Sequence, residues 1–130
     1  WKGVKIYNYT TATTPEATIA ALRALDTGKK NIILIMGGAD KGLDMSMLWK
    51  EILERCKDLF FLAGTGVDRI RPEAPQVPEY TSLSEALEAV FATAEEGDIV
   101  LFSPAFASFG MFKNEFDRGD QFVELVKKLT

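Results

Sequence analysis

Two uninterrupted apolar runs constrain this chain more than any other feature. One is Ile-Ile-Leu-Ile-Met at residues 32–36, and the other is Ile-Val-Leu-Phe at residues 99–102. A strand that faces solvent on one side alternates polar and apolar residues, whereas a strand covered on both faces is apolar throughout. Both runs therefore predict central strands of a sheet that helices cover on both sides.

Short apolar runs alternate with helical patterns along the rest of the chain. Residues 4–7 and 59–62 read as further strands, and Tyr80 as part of a minor one. Helices are predicted from Pro15 after a capping Thr14, and from Asp44 with Leu48, Ile52 and Cys56 as its apolar positions. Further helices are predicted from Ser82 or Ser84, and over a last segment that places Phe122, Leu125, Val126 and Leu129 on one face. This alternation is typical of a three-layer α/β fold with a mainly parallel sheet flanked by helices. We expect one domain over residues 1–130.

Composition excludes several functions. The net charge of −4 argues against nucleic acid as the main partner, because phosphate binding favours a basic face. The absence of histidine excludes Ser-His-Asp and Cys-His catalysis and histidine-based metal sites, and no metal site is predicted. The single cysteine, Cys56, favours a reducing, cytoplasmic setting and reads as a small buried hydrophobe. No apolar run reaches the ~20 residues that span a membrane. The chain begins at Trp1, and we expect it to be a piece of a longer protein.

The polar and glycine-rich parts of the chain follow the predicted strands. Ligands of such sheets bind beyond the carboxyl ends of the strands. The segments that lie there are Asn8–Thr14, Gly37–Leu43, Gly64–Ile70 and Ser103–Phe116, the last read as a long loop. They predict a polar, partly cationic cleft that contains Thr11, Thr13, Lys41 and Ser108.

Each of these features also has a plainer interpretation. The threonine hydroxyls could simply cap a helix, Gly37-Gly38 could be a tight turn, and Lys41 could be a solvated charge. The glycine segment is neither a Walker A loop nor a GxGxxG motif. Taken together, the hydroxyls, a helix N-terminus and one ammonium group suit an anion. A carboxylate and a phosphate fit equally well at this point.

Four segments resemble motifs of the MurD family, the UDP-N-acetylmuramoyl-L-alanine–D-glutamate ligases. Residues 8–14 (Asn-Tyr-Thr-Thr-Ala-Thr-Thr) are similar to its Asn-Asp-Ser-Lys-Ala-Thr-Asn, and residues 37–41 (Gly-Gly-Ala-Asp-Lys) to its Gly-Gly-Asp-Gly-Lys. Residues 101–108 (Leu-Phe-Ser-Pro-Ala-Phe-Ala-Ser) resemble its Leu-Leu-Ser-Pro-Ala-x-Ala-Ser, and residues 112–119 its Phe-Lys-Asn-x-x-x-Arg-Gly. The motifs occur in the family's order and span nearly the whole chain.

The resemblance implies a Rossmann-like, C-terminal domain that binds D-glutamate. By resemblance, Lys41 and Thr13 hold the α-carboxylate, while Ser108 and a backbone N–H near Glu115 hold the side-chain carboxylate. Tyr9 and Thr11 stand where the family has Asp and Lys on the nucleotide side of the site, so the sequence departs from the family there. No catalytic residue is assigned within the chain.

The resemblance also implies what the whole enzyme does. An N-terminal domain binds UDP-N-acetylmuramoyl-L-alanine, and a central domain binds ATP and Mg²⁺. The enzyme makes an amide through an acyl phosphate in peptidoglycan synthesis, and the isolated piece is expected to be inactive. We also expect a monomer that has neither nucleic-acid nor membrane partners. Two alternatives remain open: the amino-acid-binding domain of another Mur ligase or folylpolyglutamate synthase, or a non-catalytic α/β binding module.

Overall fold

The computed structural model describes residues 2–38, 42, 44–105 and 112–130 of the chain. The strands are β1 (Lys5–Asn8), β2 (Ile32–Met36), β3 (Cys56–Leu62), β4 (Glu79–Tyr80) and β5 (Ile99–Phe102). The helices are α1 (Pro15–Leu25), α2 (Ser46–Arg55), α3 (Thr65–Ile70), α4 (Leu83–Thr93) and α5 (Glu115–Leu129), with a 3₁₀ turn at Arg71–Glu73.

The strands form one sheet in the order β1-β5-β2-β3-β4. All four neighbouring pairs are parallel, with Ile6 and Ile33 on either side of Val100 in the central register. The predicted α/β class is confirmed, and the described part of the sheet is entirely parallel rather than mainly so.

Helices cover both faces of the sheet, as the apolar runs predict. Side chains of β2 and β5 alternate between two buried clusters: Leu34 and Leu101 belong to one, and Ile35 and Val100 to the other. The first cluster takes its helical residues from α1, α2 and α3: Ala21, Leu22, Leu48, Ile52, Val67 and Ile70. The second takes them from α4 and α5: Leu83, Ala86, Leu87, Val90 and Phe122.

Side-chain caps fix the start of α1, α4 and α5, of which α5 is described below. The Thr14 hydroxyl accepts from the amide of Ala17 at 3.2 Å, as Thr14-Pro15 predicts. Of the two serines proposed for α4, Ser82 is the cap. Such caps satisfy amides that have no partner within the helix.

Two boundaries differ from the sequence-based predictions. Helix α2 begins at Ser46, because the Asp44 carboxylate accepts from the Ser46 amide in a turn before the helix. Cys56 is the first residue of β3 rather than part of α2, although it is buried as expected, and burial raises the pKa of its thiol to about 12. The segment Gly64–Ile70, expected at the carboxyl edge, consists largely of α3.

The last helix begins earlier than predicted. Asn114 caps it by accepting from the Asp117 amide at 2.8 Å, so Glu115 and Phe116 are helical rather than part of the loop predicted over Ser103–Phe116. The sequence carries a signal for this start, because Asn followed three residues later by an acid is a common helix opening. No helix in the described ranges has the length and apolar character to cross a bilayer.

Candidate ligand-binding site at the carboxyl edge of the sheet

The order of the strands creates a topological switch point at the carboxyl end of β5, and this position is called the crevice below. Helices α1 and α2, which follow β1 and β2, pack on one face of the sheet, whereas α5, which follows β5, packs on the other. β5 lies between β1 and β2 in the sheet. The chain that leaves β5 therefore continues on the face opposite to the one taken by the chains that leave β1 and β2. Ligands of open α/β sheets bind at such points, beyond the carboxyl ends of the strands.

Backbone hydrogen bonds tie the segments after these three strands together. The Tyr9 amide donates to the Phe102 carbonyl at 2.8 Å, and the Ala105 amide donates to the Ala12 carbonyl at 2.9 Å. On the other side, the Gly37 amide donates to the Pro104 carbonyl at 3.0 Å. The segment after β5 is therefore held between the segments after β1 and β2, as the parallel sheet requires.

A buried hydroxyl pair anchors the first residue after β5. The Oγ atoms of Thr18 and Ser103 lie 2.9 Å apart, and the Thr18 hydroxyl also donates to the Ser103 carbonyl at 3.3 Å. Both side chains are fully buried. This pair joins α1 to the base of the segment in which Ser108 is predicted to act.

The loop between β1 and α1 carries three of the predicted site residues. Thr11 is exposed, Thr13 is half-buried, and the Thr13 amide donates to the Thr11 carbonyl at 2.9 Å. Tyr9 is also half-buried, and its ring packs edge-on against Tyr7 and against the first apolar cluster. Tyr9 therefore contributes packing at the position where the MurD motif has a carboxylate.

Glu115 lies at the N-terminus of α5, next to the same loop. Its carbonyl accepts a hydrogen bond of 2.7 Å from the Thr10 hydroxyl. The first amides of a helix have no intrahelical acceptors, and they carry the positive end of the helix dipole. Amides in this position can bind a carboxylate, and the contact that the resemblance implies for the backbone near Glu115 stays a prediction.

Arg118 was not singled out as a site residue, and it is one of the largest fully buried side chains among the described residues. Its guanidinium donates to the Thr10 hydroxyl at 3.1 Å and to the Thr10 carbonyl at 2.7 Å. Burial lowers the pKa of Arg118 to about 10, and the charge of Glu115 opposes that shift. The sequence held a signal, because Arg118 precedes Phe122 by four residues and so lies on the buried stripe of α5.

Glycines bring the segments after β2 and β3 into contact. Gly37 has a φ of +144°, and a Cβ there would collide with the main chain of Leu62. The Gly66 amide donates to the Gly38 carbonyl at 2.9 Å, and a Cβ on Gly64 would lie 2.6 Å from that carbonyl oxygen. Gly37 and Gly64 therefore permit a close approach between the main chains that follow β2 and β3.

Two of the predicted ligand contacts fall outside the described residues. Lys41 lies between Gly38 and Gly42, and Ser108 lies between Ala105 and Phe112, so both stay predictions. Of the other residues, Thr11, Thr13 and Glu115 are brought to one edge of the sheet.

An apolar groove of about 590 Å³ lies elsewhere. Trp49, Ile52, Cys56, Leu59 and Val77 line part of it. Cys56 begins β3, so the groove is near the amino-terminal end of that strand and away from the crevice. In the part of the chain that the structure describes, no group of three His, Cys, Asp or Glu side chains is arranged to hold a metal ion.

The parallel sheet and the switch point at β5 define a doubly wound α/β domain whose carboxyl edge is the candidate ligand site. The chain belongs to the Mur ligase family, since the model of the Mur ligase glutamate ligase domain matches residues 1–106.

Curated relatives agree with this family. The chain is 42% identical over 135 residues to a UDP-N-acetylmuramoylalanine–D-glutamate ligase of Roseiflexus sp. (strain RS-1), covering 98% of this chain and 28% of that protein. It is 40% identical to the ligase of the same name from Borreliella afzelii, with 98% of this chain and 29% of that protein covered. The chain thus spans less than a third of the length of these relatives.

A solved structure supports the fold independently. It is a domain ascribed to a UDP-N-acetylmuramate:L-alanyl-gamma-D-glutamyl-meso-diaminopimelate ligase of Haemophilus ducreyi. The TM-score is 0.56 at 17% identity, over 98% of this chain and 89% of that one. At this identity the likeness concerns the fold alone.

Proposed function

We propose that this chain is the amino-acid-binding domain of an ATP-dependent ligase that joins D-glutamate to UDP-N-acetylmuramoyl-L-alanine in peptidoglycan synthesis. The observation that carries the proposal is the similarity to UDP-N-acetylmuramoylalanine–D-glutamate ligases, which extends over 98% of the chain at about 40% identity. The described residues of the matching motifs lie at the ends of β1, β2 and β5 and in the first turns of α5, at the carboxyl edge of the sheet.

The residues predicted for the site suit an amino acid with two carboxylates. Thr13 with Lys41 would hold the α-carboxylate, since a hydroxyl and an ammonium both donate to anionic oxygen. Ser108 and the first turn of α5 at Glu115 would hold the side-chain carboxylate. Two anionic groups held in this way leave the amine of D-glutamate free to point away from the domain.

The reaction requires only positioning from these residues. A γ-phosphoryl group passes from ATP to the carboxylate of the L-alanyl group, giving an acyl phosphate and ADP. The D-glutamate amine then attacks the acyl carbon, the C–O bond to phosphate breaks, the amine loses a proton, and an amide and inorganic phosphate result. Holding an amine in the attacking geometry can supply much of the rate enhancement of such a step.

The rest of the ligase would supply the other substrates and the metal. Mg²⁺ would neutralise charge on the ATP phosphates there, and the described residues of this domain contain no cluster suited to it. We expect N-terminal and central domains to bind the UDP-sugar and ATP, and this domain alone to be inactive. We also expect a monomeric, cytoplasmic enzyme, which gel filtration and cell fractionation can check.

Steady-state kinetics of the full-length ligase test the assignment. Lys41→Ala, Ser108→Ala and Thr13→Val are each expected to raise the KM for D-glutamate by about tenfold or more while the KM for ATP changes little. Lys50→Ala and Ser84→Ala, at positions in α2 and α4, are matched controls. An unchanged KM for D-glutamate in both Lys41→Ala and Ser108→Ala would end the assignment.

Substrate selection separates this function from its relatives. The wild-type ligase is expected to consume ATP with D-glutamate and not with L-glutamate, L-lysine, diaminopimelate or a folate acceptor. Turnover with one of those compounds instead would assign the domain to another member of the ligase family. Absence of turnover with any of them would favour a binding module without catalysis.

A further inference from the structure

Thr10 lies in the crevice, but the proposed function assigns it no contact with the substrate. It is buried at 8% exposure, and its hydroxyl does two things at once. It donates to the carbonyl of Glu115 at 2.7 Å, and it accepts from the guanidinium Nε of Arg118 at 3.1 Å. A second guanidinium nitrogen donates to the Thr10 carbonyl at 2.7 Å.

Further contacts reinforce the same junction. The Asn8 amide group donates to the Gly119 carbonyl at 3.3 Å, and its oxygen accepts from the Thr10 amide at 3.3 Å. Gly119 also lies against the Thr10 methyl group, where a Cβ would have no room. The first turns of α5 are therefore attached to the end of β1 through both side-chain and main-chain groups.

This junction connects the two halves of the proposed carboxylate site. Thr10 directly precedes Thr11 and stands three residues before Thr13, in the half that would bind the α-carboxylate. Glu115 begins the helix whose first amides would bind the side-chain carboxylate. The Thr10 hydroxyl therefore links the loop that carries Thr13 to the first turn of α5.

We propose that Thr10 is a positioning residue for the amino-acid substrate, which it serves without touching it. By fixing α5 against the β1 loop, it sets the spacing that matches the two carboxylates of a glutamate. This proposal rests on the proposed function and adds a specificity-determining residue to it. Arg118 is its partner, because a guanidinium can donate to the hydroxyl and the carbonyl of one residue together, which an ammonium cannot do in the same geometry.

The conservative pair Thr10→Ser and Thr10→Val separates the hydroxyl from the shape of the side chain. Serine keeps the donor and acceptor, whereas valine keeps the volume and leaves the Glu115 carbonyl and the Arg118 Nε without this partner. In the full-length ligase, Thr10→Val is expected to raise the KM for D-glutamate about tenfold or more and to leave the KM for ATP within roughly twofold. Thr10→Ser is expected to stay within about threefold of wild type.

Two further variants serve as a control and as a replacement if Thr10→Val does not fold. Thr93→Val removes a hydroxyl that donates to main-chain carbonyls in α4, away from the crevice, and is expected to leave all KM values unchanged. If Thr10→Val does not fold, Arg118→Lys is the second variant, and it is expected to raise the D-glutamate KM selectively as well. In Thr10→Val or Arg118→Lys without substrate, amide hydrogen exchange is expected to be faster than in the wild type. The increase is expected to be larger at residues 10–14 and 115–118 than in α4.

The outcomes are distinguishable. A wild-type enzyme that saturates with D-glutamate, together with Thr10→Val or Arg118→Lys that raises only that KM, supports the positioning role. If the wild type saturates with D-glutamate and the KM for D-glutamate is unchanged in Thr10→Val, the positioning role is wrong. The proposed function is then unaffected. A folded wild type without any dependence on D-glutamate overturns the proposed function and the substrate role of Thr10 with it.

Discussion

The methyl carbon of Thr10 lies so close to Gly119 that a Cβ built on this glycine would be only 2.5 Å from it. Gly119 is in the interior of α5, where glycine is ordinarily the least favourable residue other than proline. The helix accepts this cost because only a residue without a side chain allows it to approach the end of β1 so closely.

Gly119→Ala is therefore expected to destabilise the domain, although the same change in an exposed helix stabilises it by about 1 kcal/mol. We expect a loss of about 1–3 kcal/mol in the free energy of unfolding, measured by urea denaturation, because the added methyl group overpacks the junction. Asp120→Ala, at the exposed neighbouring position, is the matched control.

The double variant Gly119→Ala with Thr10→Ser tests the cause. Serine lacks the methyl carbon that would collide with the new Cβ and keeps the hydroxyl that Glu115 and Arg118 use. The second change is expected to restore most of the lost stability. A double variant as unstable as the sum of both single variants would show that the close approach is not the source.

The buried pair of Thr18 and Ser103 gives a second prediction. When the Thr18 hydroxyl donates to the Ser103 carbonyl, the Ser103 hydroxyl donates to Thr18. Thr18→Val then leaves both the hydroxyl and the carbonyl of Ser103 short of a partner, whereas Ser103→Ala leaves the Thr18 donor satisfied. We expect Thr18→Val to cost about 1–3 kcal/mol and Ser103→Ala less.

A double-mutant cycle measures this coupling. Adding Ser103→Ala to Thr18→Val removes the stranded hydroxyl, so the double variant is expected to be less unstable than the sum of the single ones. Strict additivity in thermal or urea unfolding would contradict the pairing.

The sheet could be predicted from sequence because its signals are local and strong. Runs without a polar residue at 32–36 and 99–102 require cover on both faces, and the structure gives both strands full burial. The starts of α1 and α4 were also readable, because Thr14 and Ser82 cap through side chains within three residues.

The junction at Thr10 could not be predicted in the same way. It joins residues more than a hundred positions apart, and a threonine in a hydroxyl-rich loop looks the same whether it is solvated or buried. The burial of Arg118 was partly readable from its helical spacing to Phe122. Its partners depend on the position of β1 beside β5, which the order of elements along the chain does not fix.

The pH dependence of stability is expected to involve Glu51. Hydrogen bonds from Arg23 and then Arg55 hold the pKa of this carboxyl below its ordinary value of 4.5. The unfolded chain thus takes up a proton at a pH where the folded domain does not. The stabilisation is complete above pH 4.5 and is lost as the pH falls through the lower folded value.

Glu51→Gln is expected to be less stable than wild type at neutral pH and to lose less stability on acidification. The measurement is the urea midpoint at a pH near 7 and again at an acidic pH below the range in which the folded carboxyl titrates. Glu54→Gln, exposed on the same helix, is the control and should follow the wild-type curve. Parallel acid curves for wild type and Glu51→Gln would contradict the role of this carboxylate.

Substitutions of Asn114 can separate the capping of α5 from the effect of charge at its N-terminus. Its side chain accepts from the Asp117 amide, so Asn114→Ala removes the cap and is expected to cost about 0.5–2 kcal/mol. Asn114→Asp keeps an acceptor of equal capping strength, and unfolding is expected to stay close to wild type. The aspartate, however, adds a negative charge at the helix terminus that is proposed to bind a carboxylate.

If the first turn of α5 binds the side-chain carboxylate of D-glutamate, the stable Asn114→Asp variant must bind its substrate more weakly. Repulsion between like charges at this site is expected to raise the D-glutamate KM severalfold, by roughly 1 kcal/mol for a solvent-exposed pair, and to respond to salt. The KM for ATP is expected to stay unchanged. A folded Asn114→Asp enzyme with a wild-type D-glutamate KM at low salt would place the carboxylate away from this helix, because a new charge next to the bound anion cannot be without effect.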